Sequence, residues 1–279
     1  MCSKETAMTE KPDFMKGIFI PPQPRIIDDV REASPDLVKI AELISKDAGI
    51  SANVLRTVNS PAYNLPNKIS SISQAVMLLG LDAVVNIING LMIRVAFEKY
   101  DTEPLIEFWK LNEDIALASA ILAKRLDLAP SEDAYLLGLF HACGIPAMRI
   151  KFPQYMSSLK EAFEQSGLSP SVYLDNLMNT NHGVVGFWIA KTWNLPSNVC
   201  NAIRDHIDRS WVDHRDTETD GLLICLKLAQ RVCNSHIRLM GADENAHWPF
   251  VKEVILTELG MSDLDWEDLS HEIADQLHS

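Results

Sequence analysis

Cysteine is scarce and unpaired in this 279-residue chain: Cys2, Cys143, Cys200, Cys225 and Cys233 are scattered, odd in number and without a CxxC pair. That disfavours a disulfide framework or a structural zinc site and leaves buried reduced thiols. Long apolar runs are missing too. The stretches AVMLLGL and DIALASAILA are far shorter than the roughly 20 residues a membrane span needs. The first residues, MCSKETAMTEKPDF, lack the apolar core of a secretory signal, so a cytoplasmic protein without membrane contact is expected. Positive charge is in deficit: 25 Lys and Arg against 38 Asp and Glu leave a formal charge of −13, and no basic run interleaves with aromatics. A field of that sign repels phosphate backbones and disfavours nucleic-acid binding.

No stretch alternates over more than a few positions, whereas apolar residues recur at three- and four-residue spacing nearly everywhere, which predicts an all-α fold. Residues 1–17 read as a polar, flexible tail, and PPQP at 21–24 holds the chain extended before the first helix. Ser34-Pro35 is expected to open a helix carrying Leu37, Ile40, Ala41 and Ile44, and Asp47 or Ser51 the next, which Asn59-Ser60-Pro61 breaks. Ser71 and Gln74 form a capping-box pattern, and Gly80 is a natural left-handed stop before a long helix that Asp82 can cap. Residues 18–98 thus form one helical lobe, in which Tyr63, Leu65, Ile69 and Ile72 are expected to be buried. After a polar break at 99–102, a second lobe (99–240) holds helices at roughly 103–127, 131–142, 153–166, 170–179, 181–194, 196–208 and 220–238. The segment 209–220 reads as a loop. Residues 241–279 form a C-terminal helical extension over 248–259 and 263–277, with Ser262 and Asp265 as a cap and Trp248 and Trp266 as docking residues.

The stretch NSPAYNLPNKISSISQAVMLLGLDAVVNII, residues 59–88, resembles the signature of the HDOD family, helical domains related to the HD superfamily. The resemblance continues through FWKLNEDIALASAILAKRL, AYLLGLFHACG and NHGVVGFWIAKTWNLPSNVCNAIRDHID, about residues 20–210. It implies an HD-domain/PDEase-like helical bundle of two packed lobes. It also implies where an active HD phosphohydrolase would keep its metal ligands: the first histidine falls on Leu111, the His-Asp pair on His141 and Ala142, a frequent lysine on Ile145, and the last aspartate on Gln230. Only His141 is a good donor, so the resemblance implies a degenerate site with no metal and no cofactor.

His182, Asp205 and His206 fall where some relatives carry extra pocket residues. They could line a cavity with His141 and form a different metal site, but their places at helix ends favour capping or solvent exposure instead. Arg149 and Lys151 follow His141 closely enough to hold one phosphorylated ligand, though two surface cations are more often simply solvated. His214, His247, His271 and His278 lie in polar or terminal segments and are expected to be exposed. Cys143 is a poor nucleophile candidate, because its spacing from His141 on a helix turns the two side chains apart. Trp188 and Trp193 read as core. Asn59, Ser60, Asn64, Asn67 and Lys68 could present a partner surface, or Asn59 and Ser60 could simply cap the broken helix. The function implied by the resemblance is a non-catalytic signalling adaptor of bacterial type, binding a protein partner or a small ligand. The alternative is a diverged metal-dependent phosphohydrolase acting on a nucleotide or phosphate ester.

Overall fold

The computed structural model describes residues 15–60, 65–98, 105–164, 167–208, 217–241 and 247–278. Among these residues there are helices and no strands. The first four helices are α1 (Arg25–Glu32), α2 (Leu37–Ser45), α3 (Ala48–Val58) and α4 (Ile72–Glu98). Asp36, not Ser34, opens α2: its carboxylate accepts from the amides of Val38 and Lys39 at 3.1 and 3.0 Å. One charged oxygen satisfying two free donors displaces the expected hydroxyl cap and moves the helix start to Leu37. Asp47 caps α3 as expected, accepting from Ile50.

Beyond α3 the side chain of Asn59 turns inward. Its Nδ2 donates to the carbonyls of Leu55 and Ile69, and its Oδ1 accepts from the amide of Ile69 at 2.7 Å. The Asn59 amide therefore clasps both ends of the 60–69 loop. Replacing Asn59 by alanine is expected to lower stability by about 2 kcal/mol, since it strands the backbone N–H and C=O of Ile69; urea unfolding of the variant measures this. Ile72 is buried and Leu65 and Ile69 are half-buried, while Tyr63 lies outside the described residues.

Ser71 Oγ accepts from Gln74 N, and Gln74 Oε1 accepts from Ser70 N, which is the expected capping box shifted by one residue. Gly80 interrupts α4 with φ 79° and ψ 177°, a conformation open to glycine and strained for other residues. By length and composition Ile72–Phe97 could cross a membrane, which the separate apolar stretches did not suggest. Half of its most apolar window is buried inside the protein, and Val84, Ile88 and Ile93 have no exposed surface.

The remaining helices are α5 (Ile106–Leu126), α6 (Ser131–Phe140), α7 (Gly144–Lys151), α8 (Tyr155–Glu164), α9 (Pro170–Met178), α10 (His182–Thr192), α11 (Ser197–Asp205), α12 (Thr217–Val232), α13 (Ser235–Met240), α14 (Trp248–Leu259) and α15 (Asp263–His278). The sequence pattern missed α7. Glycine and proline ordinarily disfavour a helix interior, yet Pro146 falls in the first turn, where its missing N–H leaves no helical bond unmade. The expected helix over 220–238 begins earlier, at Thr217, and divides at Asn234, whose φ of 49° ends one helix and starts another.

Small residues let helices close up around α5 and α10. A Cβ at Gly138 would stand 2.4 Å from Ala116 Cα, and one at Gly144 would stand 2.1 Å from the His182 carbonyl. The apolar core is continuous from Met15 to Ile273. Phe97 of α4 stacks on Trp109 of α5, and Trp193 at the end of α10 is fully buried. Trp193 Nε1 donates to the Pro21 carbonyl while Gln23 Nε2 donates to the Trp193 carbonyl, so the segment before α1 straps the far end of α10. Residues 1–14 of the expected tail lie outside the described residues; Met15 is buried and the Lys16 carbonyl accepts from Lys151 Nζ. At the other end, Ser262 and Asp265 cap α15 reciprocally, and the Trp248 and Trp266 rings meet at 6.2 Å.

Candidate functional site

A cavity of about 80 Å³ opens where α5, α12 and the α6–α7 corner meet. The elements bring to it all five positions that the HD pattern marks: Leu111 from α5, His141 and Ala142 from the corner, Ile145 from α7 and Gln230 from α12. His182 and His206 join them from the start of α10 and the end of α11; neither faces solvent, and His206 caps the Ile203 carbonyl as expected of a helix-end histidine. Close backbone contact at Gly144 and Gly183 seats α10 deeply, and this buries both rings.

The hydrogen bonds of these rings fix their tautomers. His206 Nδ1 lies 2.7 Å from the Ile203 carbonyl, which can only accept, so Nδ1 carries the proton and Nε2 the lone pair. His182 Nε2, 3.1 Å away, must then donate to it. That leaves His182 Nδ1 as the acceptor for the Tyr155 hydroxyl at 2.8 Å, while the same hydroxyl oxygen accepts from the His182 amide. The result is a directed chain: Tyr155 to His182 to His206 to the Ile203 carbonyl. His141 donates from Nδ1 to the Gly138 carbonyl at 2.8 Å, which leaves its Nε2 lone pair uncommitted to that bond.

Burial keeps all three imidazoles neutral. It lowers His141 to about 4, and it holds His182 and His206 low as well, reinforced by their mutual proximity and by Lys227. Lys227 of α12 is the inner cation of the site. Its Nζ donates to the His206 carbonyl, and burial pulls its ammonium down to about 8, with Asp208 partly opposing that shift. Burial raises the Cys143 thiol far above its ordinary value, so it supplies no thiolate.

Several expected members lie elsewhere. Asp205 is engaged by Arg204 at 2.7 Å and does not line the cavity. Neither do Arg149 and Lys151: α7 carries them past the corner, and Lys151 turns to the Lys16 carbonyl and the Phe152 ring. His247 is buried against Phe163 and lines the cavity rather than solvent, because α14 docks over it. His271 is exposed as expected, and His214 lies outside the described residues. Of the suggested partner surface, Asn67 and Lys68 are exposed, Asn64 lies outside the described residues, Ser60 is half-buried, and the side chain of Asn59 is spent on the loop clasp. Sequence reasoning missed Lys227, Asn112 and Asp208. Lys227 had a signal: it is the lone charge in the apolar run GLLICLKLAQ, one helical turn before Gln230.

These residues do not fit a catalytic divalent ion. Leu111, Ala142 and Gln230 offer no anionic donor, the facing nitrogens of His182 and His206 bond to each other, and the Lys227 ammonium opposes a second cation. Among the described residues no group of three His, Cys, Asp or Glu side chains is arranged to hold a metal.

The all-helical bundle is of the HD-domain type. Residues 20–209 match the model of the HDOD domain, and the chain belongs to the HDOD family. It is 30% identical over 193 residues to an uncharacterized protein of Treponema pallidum, covering 67% of this chain and 37% of that one. It is 26% identical over 115 residues to the uncharacterized protein YuxH of Bacillus subtilis, covering 41% of this chain and 28% of that one. The match therefore spans little more than a third of the first curated relative and less than a third of the second. Among solved structures, an HDOD domain protein of unknown function from Geobacter sulfurreducens superposes with a TM-score of 0.67 at 25% identity, covering 95% of this chain and 94% of that one. A candidate phosphohydrolase from Shewanella amazonensis shares the fold, with a TM-score of 0.66 at 19% identity over 95% of each chain.

Proposed function

We propose that this HDOD domain is a non-catalytic regulatory module of the cytoplasm that passes on a bound state to a protein partner. One observation carries the reading: Leu111, His141, Ala142 and Gln230, to which the resemblance assigns the metal ligands of an HD hydrolase, line a mostly apolar cavity with neutral imidazoles and one lysine. Without a bound ion nothing in the cavity makes hydroxide at neutral pH, and the Tyr155, His182 and His206 chain ends on a carbonyl rather than on a water-activating base. The rival reading, a diverged phosphohydrolase, requires metal-dependent turnover.

The test has two arms. The natural protein, purified without chelator and supplied with manganese, is expected to leave p-nitrophenyl phosphate unhydrolysed; metal-dependent turnover would overturn the proposal. The combined change Leu111→His, Ala142→Asp and Gln230→Asp is expected to raise manganese or zinc affinity by at least roughly tenfold, because it rebuilds imidazole and carboxylate donors around one cavity. A folded triple variant with unchanged metal affinity by calorimetry would show that these positions are not the vestige of an HD site.

A further inference from the structure

We propose that the cavity is a receptor site for a small aliphatic monocarboxylate, bound by Lys227 Nζ and Asn112 Nδ2 with its alkyl part against Leu111, Ile115 and Ile145. The inference rests on the reading that no metal occupies this place, and it assigns the ligand class that the module senses. Asn112 lies on α5 and is 2% exposed, and its Nδ2 has no acceptor among the described residues. A buried donor left in that state is costly, so its position in the cavity wall calls for an acceptor that enters from outside.

Lys227 makes the same demand in charge. It and Arg231 are the cations lining the cavity and Asp208 is the carboxylate. Arg231 is exposed and lies over the Trp248 ring, which leaves Lys227 as the inner cation, with a backbone carbonyl as its hydrogen-bond partner. Asp208 only partly offsets the burial of this ammonium, so a neutral guest would leave its charge incompletely compensated. A phosphate dianion would bring a second charge into a largely apolar space that has no second inner cation for it. A single carboxylate matches both the ammonium and the amide donor. At about 80 Å³ the space admits a body of a few carbon atoms.

The test is calorimetric titration of the full chain at pH 7 and constant ionic strength with acetate, propionate and butyrate, alongside butyramide and inorganic phosphate. Saturable binding of a carboxylate is expected, with butyramide and phosphate at least roughly tenfold weaker, and Tm should rise by about 4 °C when the carboxylate is near twenty times its Kd. Lys227→Met and Asn112→Leu are each expected to weaken carboxylate binding by roughly tenfold. Circular dichroism establishes that the variants are folded. If either variant does not fold, the titration of the natural protein decides alone. No saturable carboxylate binding up to about 20 mM, binding of phosphate or butyramide as tight as butyrate, or folded variants that bind unchanged would each overturn the assignment. These failures leave the non-catalytic reading standing, since only metal-dependent turnover removes that.

Discussion

Acidification from pH 7 to pH 5 is expected to lower the unfolding free energy by about 5 kcal/mol, as three buried histidines each lose about 1.8 kcal/mol. His141, His182 and His206 are neutral in the folded protein, held there by burial, with His141 titrating only at about 4. In the unfolded chain each takes up a proton below its ordinary value of about 6.5. Between those limits the unfolded state binds more protons, so stability rises with pH and falls as pH drops through 6.5 toward 4. Asp175, whose carboxyl burial raises, works in the opposite sense, but it is exposed and weakly placed to offset three enclosed rings. Urea unfolding at pH 7, 6 and 5 measures the slope, which should approach an uptake of three protons near pH 5. A profile that is flat over this range would mean that the rings are not held neutral.

Replacing Gly144 by alanine is expected to destabilise the fold by about 3 kcal/mol or more, although alanine is the better helix former by about 1 kcal/mol. The added Cβ would meet the His182 carbonyl oxygen at 2.1 Å and the Gly186 nitrogen at 2.9 Å. Both are backbone atoms, so relief comes only by moving α10 away from α7. That movement would carry His182 out of the Tyr155 and His206 chain. Gly167 is the matched control: it is exposed, nothing lies within 4 Å of its Cβ position, and Gly167→Ala should leave Tm nearly unchanged. Thermal unfolding of the two variants side by side gives the comparison, and a Gly144→Ala protein as stable as the control would show that α7 and α10 are not in backbone contact.

The fold was largely legible because its information is local. Three- and four-residue periodicity, the carboxylate at Asp47, the Ser71-Gln74 box and the Ser262-Asp265 box each act within one turn of chain, and the observed caps follow them. The motif at 59–88 and the HD positions were legible through family likeness, and Leu111, His141, Ala142, Ile145 and Gln230 do converge on one cavity. What stayed hidden depends on distant packing. Nothing local distinguishes a helix-end histidine that faces water from His182 or His206, which α7 and α12 cover. Nearness in sequence placed Arg149 and Lys151 beside His141, but the roughly two turns of α7 carried them away. The cation came instead from Lys227, 86 residues beyond His141 in the chain.

The strap before α1 bears on how the chain assembles. Pro21 and Gln23 reach their partners on Trp193 across separations of 172 and 170 residues, so these bonds close the largest loop in the hydrogen-bond network described here. Contacts of such range bear the full entropy of loop closure and are made only after α10 has docked to present Trp193. A nascent chain must therefore be made past Trp193 before the segment holding Pro21 and Gln23 finds its resting place. Until then that segment is without cover, which is an interval in which the protein is open to aggregation or chaperone capture.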